Sequence, residues 1–302
     1  MAAAWYMHHG SGPLLTFNLE MTSSMSAAGT GRLLWAAILA MSTGACASGP
    51  LAEVIDRRPP EVREKERLEQ AMARAREAVP QSPELVQPST MKGTEVWRSA
   101  MLAGGLRVMV STETRSLWLM RDTIVVFRAP VAVGMEEGFT YEGREYDFTT
   151  PVGRRRVQAK ATDPLWVPPD WHYFEVAVEK DLDVVRLRKG QRVALGDSTR
   201  LEVRGSEVGR VNQFGNFWPF TPGTEIIFDG KVYIPPFGTR QREIPEILGT
   251  HKLELGDGYL IHGTNQETTI GDAVSHGCVR MYNADVAQLF EQVPVGTPVY
   301  IF

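Results

Sequence analysis

Short apolar runs separated by turn residues recur from Leu106 to the last residue, and they constrain this chain more than any other feature. Leu106, Val108 and Val110 alternate with Arg107, Met109 and Ser111, the period of a strand with one face turned inward. Leu117-Trp118-Leu119-Met120 and Ile124-Val125-Val126-Phe127 follow, split by the turn Arg121-Asp122-Thr123. Further strand-like runs stand at 131–133, 200–203, 225–228, 231–234 and 259–261, and the chain closes on another at 298–302. Runs this short suit a mainly β domain, a sandwich or barrel, rather than a helix bundle. The 28 glycines and 19 prolines supply the turns such a fold needs. One short C-terminal helix is expected. Asn283 would cap it, Asp285 sits in the first turn, and Val286, Leu289, Phe290 and Val293 share a face that Pro294 and Gly296 end.

At 302 residues with 43% hydrophobic content, the chain can build a substantial core. A net charge of −4 offers no basic footprint, so nucleic acid is not an expected partner. Residues 1–47 read as a signal region: Arg32, a short apolar run at 33–41, then the Ala45-Cys46-Ala47 cleavage pattern. Met25 is the more natural start. The apolar run is too short for a lasting membrane span. Thr43-Gly44-Ala45-Cys46 also fits lipidation of Cys46, which would tether the protein to a membrane. An uncleaved anchor is the third reading, and all three put the body of the protein outside the cytoplasm, in the periplasm or cell envelope. Residues 48–100 are proline-flanked and charged, with Leu68, Met72 and Val79 as a thin apolar stripe, and read as a solvated helical linker or stalk. The folded domain then occupies 101–302.

With Cys46 removed or capped, Cys278 is a lone thiol in a compartment where cysteines usually pair. Its surroundings are Ser275-His276-Gly277-Cys278-Val279-Arg280-Met281, with His262-Gly263-Thr264-Asn265 sixteen residues upstream and His251 further back. Thiolate is the nucleophilic form of cysteine, and a neighbouring imidazole lowers its pKa or takes its proton. Spacing alone leaves two candidate bases. His276 would share a face with Cys278 in an extended strand, whereas His262 would need strand pairing to reach it. Gly277 lets a substrate approach the backbone, and amides around it could form an oxyanion hole. A zinc site built from His262, His276 and Cys278 lacks a fourth ligand and any C-x-x-C pair, so no metal or other cofactor is expected.

The spaced pattern His262-Gly263-Thr264…Ser275-His276-Gly277-Cys278-Val279-Arg280-Met281 resembles the signature of the L,D-transpeptidase catalytic domain family. Thr150-Pro151-Val152-Gly153, Asp163 to Pro169, Leu248-Gly249-Thr250 and the closing 293–299 segment are similar to further marks of that family. The resemblance implies Cys278 as nucleophile, His262 as general base and the Gly263 carbonyl as the group orienting its ring. It also implies Gly277, His276 and Ser275 around the nucleophile, and Arg280 and Thr264 in contact with substrate. Many members carry Asn where this chain has Arg280, which could bind a substrate carboxylate or pair with Asp285. The implied substrate is a peptidoglycan tetrapeptide stem. A second stem, an outer-membrane lipoprotein's lysine, or water in a carboxypeptidase would accept the acyl group. A non-catalytic peptidoglycan-binding module is the reading from another class.

The chain departs from a minimal family domain by an insertion of about 80 residues, roughly 170–247. It holds the aromatic-rich run 170–174, basic residues Arg186, Arg188, Lys189 and Arg192, and the aromatic segment 212–220. Segments of this length usually carry structure or function of their own. A β-rich subdomain is expected, its aromatics either packing it or forming a platform for sugar or stem peptide.

Overall fold

The computed structural model describes residues 58–302; the expected signal region and Cys46 lie outside them. The strands Leu106–Ser111, Ser116–Arg121 and Ile124–Pro130 form an antiparallel meander. The turn between the last two puts Asp122 in the left-handed region at φ 53°, which a short polar side chain tolerates. The closing strand Pro298–Ile301 then pairs parallel with Leu106–Ser111, and on its other edge antiparallel with Gly153–Arg156. The result is a five-stranded sheet whose centre is shared by the first and last strands of the domain.

A second sheet of four strands runs Val279–Arg280, Leu260–His262, His251–Glu254 and Ala159–Thr162. Val108, Val110, Leu117 and Leu119 of the first sheet are buried with Leu253, Ile261 and Val279 of the second. Helix α4, Asn283–Gln292, completes that core with Val286 and Leu289, and Val293 just beyond it. Asn283 is not its cap: Tyr282 holds that position without a side-chain bond, and Asn283 is the first helical residue. Its amide instead bridges two loops, donating to the Thr264 carbonyl at 2.8 Å and accepting from the Thr250 amide at 3.0 Å.

The alternation in Leu106–Ser111 does not leave one face in water. Met109, Trp118, Met120, Tyr300 and Phe302 form a second core, closed by helix α2, Met91–Leu102, and by Val79 and Val86. Thr90 caps α2, its hydroxyl accepting from the Gly93 amide at 3.0 Å. The expected helical linker is therefore docked rather than a free stalk. Helix α1, Pro60–Ala78, lays Met72 and Ala75 against Ala132, Ile270 and Tyr282. Arg76 pairs with Asp285 at 2.6 Å. Where α1 ends, Arg128 donates to the Val79 carbonyl at 2.5 Å and Trp118 to that of Pro80 at 2.9 Å. No described helix is long and apolar enough to cross a membrane.

The insertion begins with a helix that the sequence reading missed, α3, Asp170–Lys180. After it, Asp183–Arg186 pairs parallel with Lys231–Ile234, which also pairs with Ile227–Phe228. A four-stranded sheet spans Arg192–Ala194, Arg200–Arg204, Glu207–Val211 and Phe217–Pro219. Two apolar clusters serve this subdomain, one under the four-stranded sheet and one between α3 and Lys231–Ile234. Phe139, Tyr141 and Tyr146 of the hairpin Gly138–Tyr141/Arg144–Asp147 join the latter. Most aromatics of the insertion are thus packing residues. Phe214, 78% exposed, and Trp218, 52% exposed, stand out toward solvent.

Candidate active site

Parallel pairing of Leu260–His262 with Val279–Arg280 places Ile261 beside Val279 and His262 beside Arg280. Ile261 and Val279 point into the main core, so by alternation His262 and Arg280 lie on the opposite face, where Cys278 enters. Strand pairing thus sets the two segments side by side across their sixteen-residue separation. The Met281 amide donates to the His262 carbonyl at 2.8 Å and ties the two segments together.

His262 is buried, and its Nδ1 lies 2.5 Å from the Gly263 carbonyl. A carbonyl only accepts, so Nδ1 carries the proton and Nε2 keeps its lone pair. Burial, with the Arg280 charge adding to it, pushes His262 down to about 3, and the ring is neutral at ordinary pH. Burial raises the Cys278 thiol, while the backbone at Leu260 and the charge of Arg280 act against that rise. At ordinary pH the site therefore holds a thiol at Cys278 and a neutral imidazole at His262. Cys278 is partly exposed, its Sγ 3.9 Å from the Gly258 carbonyl.

The segment before Cys278 is a turn, not the extended strand that would have aligned His276 with Cys278. Gly277 sits at φ 99°, and a Cβ there would meet the Tyr259 ring at 2.9 Å and the Thr149 carbonyl at 3.3 Å. Ser275 fixes the turn by donating to the Cys278 carbonyl at 2.5 Å. His276 faces the insertion: its Nε2 lies 3.1 and 3.3 Å from the two carboxylate oxygens of Glu175 on α3. The ring stacks on Trp171 with centroids 4.9 Å apart and meets the edge of Phe148 at 4.4 Å. Burial alone would raise Glu175, but bonding and charge from His276 help hold it below the usual carboxylate range.

Thr264 and Arg280 both bond within the 262–266 segment or its loop. Thr264 is buried, and its hydroxyl accepts from the Gln266 amide at 3.0 Å, which fixes the loop after His262. Arg280 does not pair with Asp285, which Arg76 occupies; its Nη1 donates to Gln266 at 3.4 Å, and burial lowers its pKa. His251 bonds to Thr250 and packs on Phe290, away from the thiol's immediate partners. Among the described residues, no three His, Cys, Asp or Glu side chains gather as metal ligands. Glu175 and Phe148 beside His276 carry no signal in the sequence, and Trp171 stands there only as part of the aromatic-rich run 170–174. The i, i+4 spacing of Trp171 and Glu175 puts both on one face only once 170–180 is known to be helical.

The L,D-transpeptidase catalytic domain family model (YkuD) matches residues 105–301. "Probable L,D-transpeptidase ErfK/SrfK" of Escherichia coli (strain K12) is 48% identical over 85 residues, 28% of this chain and 27% of that protein. "Probable L,D-transpeptidase YbiS" of the same organism is 56% identical over 52 residues, 17% of each chain. The aligned stretches thus span under a third of these curated relatives. The crystal structure of the L,D-transpeptidase from Xylanimonas cellulosilytica overlays on 66% of this chain and 61% of its own, at 18% identity and a TM-score of 0.34. With about two thirds of its residues matched by the family model, the chain belongs to the L,D-transpeptidase catalytic domain family.

Proposed function

We propose that the protein is a cysteine-dependent L,D-transpeptidase that acts on peptidoglycan tetrapeptide stems in the cell envelope. The observation that carries this reading is the pairing of the Cys278 and His262 segments, with Nδ1 of His262 committed to the Gly263 carbonyl. Nε2 of His262 takes the thiol proton as Sγ attacks the carbonyl of the diamino acid's L-centre. Amides at Gly277 and Cys278 receive the developing oxyanion. The C–N bond to the terminal D-Ala breaks, the amine leaves with the proton held by His262, and the stem remains as a thioester. An amine of a second stem then attacks, giving its proton to His262 and thence to the departing thiolate. The thioester conserves the energy of the cleaved peptide bond, so no nucleotide is required. Arg280, close to both reacting groups and without a carboxylate partner among its described contacts, suits a substrate carboxylate.

The test is incubation of the purified protein with muropeptides, with mass analysis of products and protein. Cross-linked dimer, free D-Ala and a stem adduct on Cys278 are expected. Cys278→Ala and His262→Ala should each lower turnover by at least ~10³-fold without unfolding the domain. Tripeptide without dimer would make water the acceptor and the enzyme a carboxypeptidase. A lipoprotein lysine as acceptor would appear as a stem-modified peptide when that protein is supplied. Retained activity in Cys278→Ala would overturn the reading, and binding without turnover would leave a recognition module.

A further inference from the structure

The insertion reaches the segment that carries Cys278 through contacts of α3 with the His276 ring, a buried carboxylate among them. Glu175 is 3% exposed and faces an imidazole two residues before Cys278, across the tight Gly277 turn. Trp171, one helical turn earlier on α3, covers a face of the same ring, and Phe148 closes its edge. A carboxylate at a core position costs desolvation that an apolar residue would avoid, and it persists where a partner compensates. Two oxygens within 3.3 Å of Nε2 commit that nitrogen to donate, which fixes both the tautomer and the tilt of the ring. α3 is itself held from behind. Arg242, 2% exposed, donates to Asp170 at 2.6 Å and to the carbonyls of Pro168 and Pro235 at 3.0 and 2.9 Å.

We propose that Glu175 is a positioning residue for the reaction at Cys278: it fixes the His276 ring, and with it the Gly277 turn that presents the thiol. On this account the inserted subdomain sets the geometry of the nucleophile. The inference rests on the transpeptidase reading above but is tested apart from it. Glu175→Gln keeps the shape and one hydrogen bond while removing the charge. We expect kcat on tetrapeptide stems to fall roughly tenfold to a hundredfold with KM nearly unchanged, and Glu175→Asp to recover part of that loss. The His276 ring nitrogens should change their NMR shifts in Glu175→Gln. The double variant Glu175→Gln/His276→Gln should be no slower than His276→Gln alone, because the first residue acts only through the second. Additive losses, or wild-type kcat with unchanged ring shifts in Glu175→Gln, would overturn the proposal. If the wild type processes no stem peptide, the functional reading fails instead. The same double-variant cycle on the rate of Cys278 alkylation by iodoacetamide then decides the positioning claim alone.

Discussion

At His172 burial works against protonation. The ring is 5% exposed among Trp166, Trp171 and Tyr173, its Nδ1 has no hydrogen-bond partner among the described residues, and burial holds its pKa at about 4. In the unfolded chain the same group takes a proton near pH 6.5. Between about 4 and 6.5 the unfolded state binds more protons, so stability falls as pH falls through that window. Urea midpoints between pH 7 and pH 4 should show a loss of roughly 3 kcal/mol from this residue. His172→Phe should flatten that part of the curve; an unchanged slope would count against the assignment. Gly263 makes a second residue-scale case. A Cβ there would come within 2.2 Å of the Asn283 side-chain oxygen, which is already bound to the Thr250 amide. Gly263→Ala should cost about 1–3 kcal/mol in chemical unfolding and lower kcat, since the Gly263 carbonyl holds His262.

Among the elements, α3 links subdomain and site, and Arg242 anchors it. Arg242→Met removes the charge that Asp170 and two buried carbonyls receive, and should destabilise the protein by roughly 2–4 kcal/mol. If α3 transmits position to His276, the variant should also lose kcat on stem peptides below its unfolding temperature, as a melt and a rate on one preparation would show. The sequence made the first strands legible because short apolar runs are bounded by turn signals, and α4 legible because its apolar residues repeat at helical spacing. α3 was hidden: two prolines precede it, and Trp171-His172-Tyr173-Phe174 are indifferent helix formers whose burial is decided by tertiary packing. Asn283 looked like a cap because its type suits one, yet its amide is used across the chain, a contact invisible to local reasoning. The adjacency of the His262 and Cys278 segments was legible as a motif resemblance, whereas Glu175 lies 101 positions from His276 and had no local signal to link them.

For the whole molecule, the segment ahead of the family-matched region is structural cover. Val79 and Val86 are 3% and 5% exposed over Trp118, Met120 and Tyr300, and the Trp118 indole is bonded to Pro80. Deleting residues 58–88 should lower stability by at least about 3 kcal/mol, the burial of two valines, and red-shift tryptophan fluorescence. An unchanged unfolding midpoint would restore the free-stalk reading of that segment. The closing strand adds a constraint of order in time. Pro298–Ile301 lies between Leu106–Ser111 and Gly153–Arg156, so neither partner can complete its pairing until the final residues are available. Chains emerge N-terminus first, and long-range parallel pairing is slow to form. A nascent copy would therefore hold an open central sheet until residues 298–301 are made, and the surroundings of Cys278 would be completed last.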